Sequence, residues 1–588
     1  MENRWHNQVV LFDPERRVWL LFSQPVGIIT AYNVADVPGA IQAVENATGA
    51  GGLHAAGFIS YEAAPAFDAA LETHPPSTDF PLVWFGLYDA PSRTSLGKAA
   101  VEGGGIRQPG LWTPGIPRDE YVRGITAVRQ AIEEGETYQV NYTFRMHGRI
   151  DEPSGQFFAR LVAGQQASGA AYVNTGRHAI CSASPELFYE LADGVIRARP
   201  MKGTARRGLA AEQDLAFAEE LRRCPKNRAE NLMIVDMIRN DIGRIARPGS
   251  VLTPRLFSIE RYPTVWQMTS TVQAETQAPL GEQLRALFPC ASITGAPKVQ
   301  TMRIIRALES TPRKVYTGAI GHVAPGGRVR FNVAIRTVLL DLQTRQAEYG
   351  VGGGIVWDST AQSEYEECMM KARVLTDERP SFLLLETMLW TPEDGWFLLD
   401  LHRDRLLASA ECFSIPVTQH RFDAYLKDVS GELSDAGRSR IRLLLDRSGA
   451  FSHECFPLEA PSADTPVTVR LAGESVDSAN RFLYHKTTHR EVYNQARERW
   501  GSGVDDVLLW NERGELMEMT IGNVVVELDG CMLTPPVSAG LLAGTYRRWL
   551  LDKGEIHEAA LTQDHLSRAT TIFRINSIRG RQRVQIVL

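Results

Sequence analysis

A short polar break, Thr376-Asp377-Glu378-Arg379-Pro380, constrains the fold more than any other feature, because the residue pattern starts afresh on its far side. Before it runs a helix-like stretch through Lys371; after it comes an apolar, strand-like run, Phe382-Leu383-Leu384-Leu385-Glu386-Thr387. Proline among polar residues at such a reset marks a domain boundary. At 588 residues the chain is far larger than one hydrophobic core supports. Two modules are therefore expected, residues 1–376 and residues 380–588.

The first module mixes strand and helix signals. Val18-Trp19-Leu20-Leu21-Phe22 and Leu82-Val83-Trp84-Phe85-Gly86-Leu87-Tyr88 are rich in β-formers. Tyr121, Ile125, Val128 and Ile132 recur at spacings of three and four, which predicts a helix from Arg118 to about Glu136. Strands are expected over 138–144 and over 180–188, the second carrying Glu186. The segment behind Glu230 (Leu232, Met233, Ile234, Val235, Met237, Ile238) is apolar all round and reads as a buried helix. Residues 316–321 and 331–337 read as an antiparallel pair with Arg336 at a strand end.

Chemistry concentrates around Arg199-Pro200-Met201-Lys202-Gly203-Thr204, where a lysine sits between a rigid proline turn and a glycine that lets a ligand approach the backbone. Alone, such a stretch is an ordinary basic turn. Its company is Ser184-Pro185-Glu186 upstream, Glu230 downstream, and Gly352-Gly353-Gly354 ahead of Glu364, Glu367 and Lys371. On a helix those last three fall at i, i+3 and i+7 and share a face, although a solvated salt-bridge ladder has the same spacing. Thr294-Gly295-Ala296-Pro297-Lys298 reads as a glycine turn entering a helix, a setting that offers amides and a lysine to an anion. Arg336 suits a carboxylate because its planar fork engages both oxygens.

One lysine and several carboxylates at these separations resemble the active site of the chorismate-utilising enzymes. The P-x-K-G-T form is similar to aminodeoxychorismate synthase component I, whereas anthranilate synthases have alanine where this chain has Lys202. The resemblance implies an α+β chain whose first module is a β-sandwich with flanking helices. It implies Lys202 as nucleophile and Glu186 as acid on chorismate, with Arg336, Tyr316, Thr294, Gly295, Lys298, Gly353, Gly354 and Lys371 around the substrate. It also implies Mg2+, which favours carboxylates plus retained waters, on Glu230 and Glu367 with Glu364 assisting. Gln267 stands where many relatives carry a histidine, so no role is transferred to it.

The second module's signature is dispersed: His402-Arg403-Asp404-Arg405-Leu406, Tyr484-His485-Lys486-Thr487, Glu518-Met519-Thr520-Ile521-Gly522-Asn523 and Ala543-Gly544-Thr545-Tyr546-Arg547. Each is weak alone. In this order they resemble class IV pyridoxal-phosphate enzymes, and beside a chorismate module they are most similar to 4-amino-4-deoxychorismate lyases. A two-subdomain fold follows, with pyridoxal 5′-phosphate on Lys486 and Glu518 at the pyridine nitrogen. Arg405 and the amides near Ile521, Gly522, Gly544 and Thr545 would take the phosphate. Tyr546 departs from the hydroxyl-bearing or aliphatic residue usual in relatives.

The expected outcome is 4-aminobenzoate from chorismate and ammonia, a step toward folate. None of the seven cysteines lies in a G-x-C-x-G setting, so ammonia is expected from solution or from a separate glutamine amidotransferase subunit. A homodimer through the second module is a further expectation. Interleaved charges with a net of −6 offer no face to nucleic acid. No apolar run approaches the roughly 18 residues of a membrane span. The N-terminus lacks an apolar signal core and the cysteines form no C-x-x-C pair, so a reducing cytoplasm is expected. An anthranilate or isochorismate synthase joined to a branched-chain or D-amino-acid transaminase is the alternative enzyme reading. A non-catalytic metabolite-binding scaffold is the alternative from another class.

Overall fold

The computed structural model describes residues 6–95, 111–376 (except 164, 166 and 263) and 380–587 (except 434–436 and 460–465). Residues 377–379 of the expected boundary, and the first five residues of the N-terminal reading, lie outside the described residues. The chain divides into two units, residues 1–206 with 218–378 and residues 207–217 with 379–588. Both mix helix and sheet. The second unit thus includes a segment from the middle of the first module's sequence, which a linear boundary does not foresee.

The first unit is built on two ten-stranded sheets. Successive side chains of a strand point to opposite faces, and here both faces are buried. Val9 and Leu11 enter one core and Val10 another; Ala56 and Phe58 enter the first while Ala55 and Ile59 enter a third. The shared core, with Phe22, Trp84, Val173 and Ile180, draws on both sheets, and helices cover their outer faces. That is why these strands read as continuous apolar runs rather than as alternation.

The expected strand through Glu186 is broken. His178–Ser184 belongs to one sheet and Leu187–Ala192 to the other, so the chain changes sheets at Pro185-Glu186. It crosses back between Arg328–Val333 and Thr337–Asp341, at Arg336. The two crossings run side by side: Val333 N–H donates to the Glu186 carbonyl (3.1 Å) and Ala183 N–H to that of Arg336 (3.0 Å). Alternation survives the proline, so a sequence reading joins what the fold parts. Tyr316 precedes its strand, which starts only at Ala319. The Arg118–Glu133 helix buries Tyr121, Ile125 and Val128 but leaves Ile132 partly exposed. The Glu230 helix, Pro225–Gly243, is not buried all round: Ile234, Val235, Ile238 and Ile242 face the core, while Leu232 is 44% exposed.

In the second unit a four-stranded sheet carries the helices Leu399–Cys412 and Gln419–Glu432. A larger sheet has a further pairing between Leu516–Met519 and Gly522–Leu528, which closes six of its strands into a barrel. Residues 207–217 are tied in by Arg207. Its guanidinium grips the Asp214 carboxylate (2.8 and 2.7 Å) and donates to the Cys412 carbonyl (3.1 Å), the last of its helix. No described helix is long and apolar enough to cross a membrane.

Candidate active sites

In the first unit, Lys202 lies on the strand Met201–Arg206, whose register against Val265–Glu275 slips between Met201 and Thr204. Gly203, with φ at 96°, permits the slip. Gln267 braces the bulge: its amide donates to the Gly203 carbonyl (2.9 Å) and accepts from Thr204 Oγ1 (3.0 Å). Asn231 donates to the Lys202 carbonyl (3.2 Å). The lysine is thereby held off the regular pleat with its ammonium turned inward.

Lys202 Nζ stands 3.9 Å from Glu230 Oε2. Burial holds its pKa below the usual ammonium range, against the pull of Glu230 and helped by Lys371. Glu186, 4% exposed, accepts a hydrogen bond from Ser292 Oγ (2.6 Å). Burial pushes its carboxyl up to about 7, with Ser292 and Lys202 pulling the other way. The site thus brings an amine that holds its proton less tightly than usual near an acid that holds one more tightly.

The glycine run lies within the strand Gln346–Ile355, and its lack of side chains makes room for these groups. A Cβ on Gly354 would sit 2.6 Å from Lys202 Nζ and 2.8 Å from Gln139 Nε2; one on Gly353 would sit 2.8 Å from Glu364 Oε2. Gln139, which the sequence reading placed within a strand and gave no role, is fully buried with neither amide atom bonded to protein. It offers a donor and an acceptor beside the lysine, and its only signal was a polar residue in an apolar run.

Glu364 accepts from Ser359 (2.7 Å), and Glu367 pairs with Lys371 (2.7 Å), which also donates to the Gly352 carbonyl (2.8 Å). Burial, then Glu367, raises Glu364 above the usual carboxylate range. Glu230, Glu364 and Glu367 all act on Lys202, yet no three acids, histidines or cysteines among the described residues form a metal-ligating group. The donor chemistry still suits a divalent cation, since Glu186, Glu230, Glu364 and Glu367 outnumber Lys202 and Lys371 by two charges.

Tyr316 is buried beneath the Arg145 guanidinium (4.9 Å), part of an internal network with Glu309 and Arg313. Arg336 donates to Gln165 (2.7 Å). Thr294 turns its hydroxyl to the Cys290 and Ala291 carbonyls (3.1 and 3.2 Å), and Gly295 pairs in register with Val140. Lys298 is not brought to the site: Nζ is held by Asp241 (2.9 Å) and the Leu287 carbonyl (3.3 Å). An ion pair between residues so distant in sequence leaves no local signal.

In the second unit a cavity of about 410 Å³ is lined by Lys486, Glu518, Arg405, Asn523 and Thr545 among others. Burial, then Arg405, brings Lys486 down to about 8. Glu518 accepts from Tyr493 Oη (2.7 Å), Leu542 N–H (3.0 Å) and Asn523 Nδ2 (3.2 Å), and burial lifts it to about 7. A cation against this carboxylate would offset that burial, which suits a protonated ring nitrogen. Gly544 caps the helix Thr545–Asp552, and Thr520-Ile521 forms the turn between two barrel strands, the second of which starts at Gly522. Tyr546 stacks on Trp549 (5.4 Å). Arg405 is already engaged, its Nε and Nη2 donating to both oxygens of Glu386 (2.9 and 2.6 Å). Glu386 was outside the sequence reading of the site, and its partner His402 entered that reading only as part of a motif, with no role of its own.

The family model for chorismate binding enzymes matches residues 4–377, and that for class IV amino-transferases matches 383–587. Over 262 residues the chain is 41% identical to aminodeoxychorismate synthase of Streptomyces griseus, covering 44% of this chain and 36% of that protein. Aminodeoxychorismate synthase component 1 of Klebsiella aerogenes is 40% identical over 262 residues, 44% of this chain and 58% of that one. The chain thus spans well under two thirds of these relatives. The crystal structure of anthranilate synthase component I from Streptococcus pneumoniae shares the fold at a TM-score of 0.53 and 24% identity, over 61% of this chain and 92% of that one.

Proposed function

The chain belongs to the chorismate binding enzymes, with a class IV amino-transferase unit behind that domain, and we propose that it makes 4-aminobenzoate from chorismate in two steps. In the first unit Lys202 attacks ring carbon 2 while Glu186 protonates the departing 4-hydroxyl, so a C–N bond forms as the C–O bond breaks and water leaves. Ammonia then bonds to carbon 4 and expels the lysine, giving 4-amino-4-deoxychorismate. The observation that carries this reading is a buried lysine whose pKa is lowered, close enough to act on a buried carboxyl raised to about 7. A covalent amine step also excludes water as the nucleophile.

Glu230 and Glu367, with Glu364 through water, are the carboxylates that would hold Mg2+, whose charge offsets theirs and that of the substrate. Arg336, Tyr316 and Lys371 border the substrate. Ammonia would come from solution or from a partner glutamine amidotransferase.

In the second unit Lys486 would carry pyridoxal 5′-phosphate, whose chemistry is the withdrawal of electrons from the carbon bearing the substrate amine. Glu518, fixed by Tyr493, Asn523 and Leu542, would keep a proton on the ring nitrogen. Lys486 would move the proton needed for loss of pyruvate, with aromatisation as the driving force.

Product analysis with chorismate and ammonium tests the whole reading. 4-Aminobenzoate is expected from the intact chain and none from Lys202→Ala, a variant that should keep its fold. Anthranilate from the intact chain, or undiminished 4-aminobenzoate from the variant, would overturn it.

A further inference from the structure

Behind the phosphate end of the second cavity lies a buried relay that no step above uses. Arg405 and Thr545 line the cavity, while Glu386 and His402 lie behind them, 1% and 0% exposed. Glu386 Oε2 stands 2.6 Å from His402 Nδ1, and His402 Nε2 stands 3.2 Å from Thr545 Oγ1. Arg405 and His402 overcome the burial of Glu386 and draw it down to about 2, so it is an ionised, acceptor-only group. His402 Nδ1 must therefore carry a proton toward it.

The other ring nitrogen then decides what Thr545 can do. In a neutral imidazole, Nε2 is a bare acceptor, and the Thr545 hydroxyl, its hydrogen-bond partner among the described residues, must donate to it. Thr545 would then present lone pairs alone to an anion in the cavity. Turning that hydroxyl away would leave Nε2 buried, unpaired and facing an oxygen lone pair, which is costly. A proton on Nε2 removes the conflict, because the imidazolium donates to Thr545 Oγ1 and frees its hydrogen. It also corrects the charge, since Glu386 otherwise cancels Arg405.

Resting on the reading that this cavity takes pyridoxal 5′-phosphate, we propose that loading the phosphate takes up a proton at His402, which converts Thr545 into a phosphate donor. The charged groups facing His402 are Glu386 from the strand Leu384–Thr391, Arg405 from its own helix, and Lys486 from the loop before Thr487. From the helix Thr545–Asp552 comes only the neutral Thr545, because Arg547 is bonded to Glu558 and the Pro535 carbonyl. Burial holds the His402 imidazole below its usual range, against the pull of Glu386. A dianion raises it. Affinity is therefore greatest below the empty-state value, falls as pH rises toward the loaded-state value, and is level above it.

Calorimetry on the cofactor-free full chain tests this, with pyridoxamine 5′-phosphate as probe because it carries the phosphate but no aldehyde for Lys486. Titrations between pH 7 and 9 in two buffers of different ionisation enthalpy give the protons taken up. The wild type is expected to take up more protons than Thr545→Val, by up to one, with affinity falling by up to about tenfold per pH unit. Thr545→Ser should restore the uptake. Equal uptake by wild type and Thr545→Val, or none by the wild type, would overturn the proposal while leaving the cofactor in place. Failure of both pyridoxamine 5′-phosphate and pyridoxal 5′-phosphate to bind would overturn the cofactor reading along with it.

Discussion

Replacing Gly354 by alanine should separate activity from stability. Gly354 lies in a strand and has no left-handed φ, so its backbone accepts alanine. The added methyl would stand 2.6 Å from Lys202 Nζ and 2.8 Å from Gln139 Nε2, against ordinary contact from 3.4 Å. The lysine end must retreat by about 0.8 Å, which a flexible side chain does cheaply. Lost freedom in the unfolded chain favours alanine by about 0.4–1 kcal/mol, so stability should change by no more than about 1 kcal/mol. Reactivity has no such slack: a misplacement near 1 Å costs about a hundredfold, or about 2.7 kcal/mol of barrier. Thermal unfolding with formation of 4-amino-4-deoxychorismate from chorismate and ammonium measures both quantities. Activity within threefold of wild type would refute the claim that Gly354 sets the lysine's position. A Tm lowered by more than a few degrees would show instead that the glycine serves packing.

Lys486→Ala should accumulate 4-amino-4-deoxychorismate while first-unit turnover continues; chromatography showing unchanged release of 4-aminobenzoate would contradict the lyase assignment. Because Glu186 is raised to about 7 and acts in its protonated form, the first step should decline as pH rises through that value, while the need for an unprotonated Lys202 adds a separate fall toward acid. Glu186→Gln should be slow at every pH, and a variant retaining the same alkaline decline would assign that limb to another group. EDTA should stop the first step and spare the second, and Glu367→Gln should shift the magnesium requirement; an unchanged requirement would place the ligands elsewhere.

Much of the make-up of the candidate sites was legible because it lies in contiguous motifs. Lys202 was readable from its neighbours, and Lys486 with Glu518 from the order of short signals. The helical face of Glu364, Glu367 and Lys371 followed from spacing alone. What escaped depends on partners far away in sequence. Periodicity cannot see that Glu186 and Arg336 sit where the chain changes sheets, because alternation continues through both. The Asp241 partner of Lys298 and the Glu386 partner of Arg405 are both side chains brought in by folding. Gln267, set aside for lacking the usual histidine, braces the bulge through its amide, a role that depends on the Gly203 conformation and not on residue type alone.

The excursion of residues 207–217 bears on how the protein is made. These residues leave the ribosome more than a hundred and fifty positions before the strand Leu384–Thr391 with which their unit begins its own sheet. Arg207 and Asp214 can pair early, being close in sequence, but the Cys412 carbonyl that Arg207 also engages arrives only with the second unit. The stretch between Lys202 and Glu230 is therefore fully anchored only once Cys412 has emerged, long after the two residues it joins. A fragment truncated at residue 376 would carry every first-site residue and still lack the anchor for the segment that joins two of them.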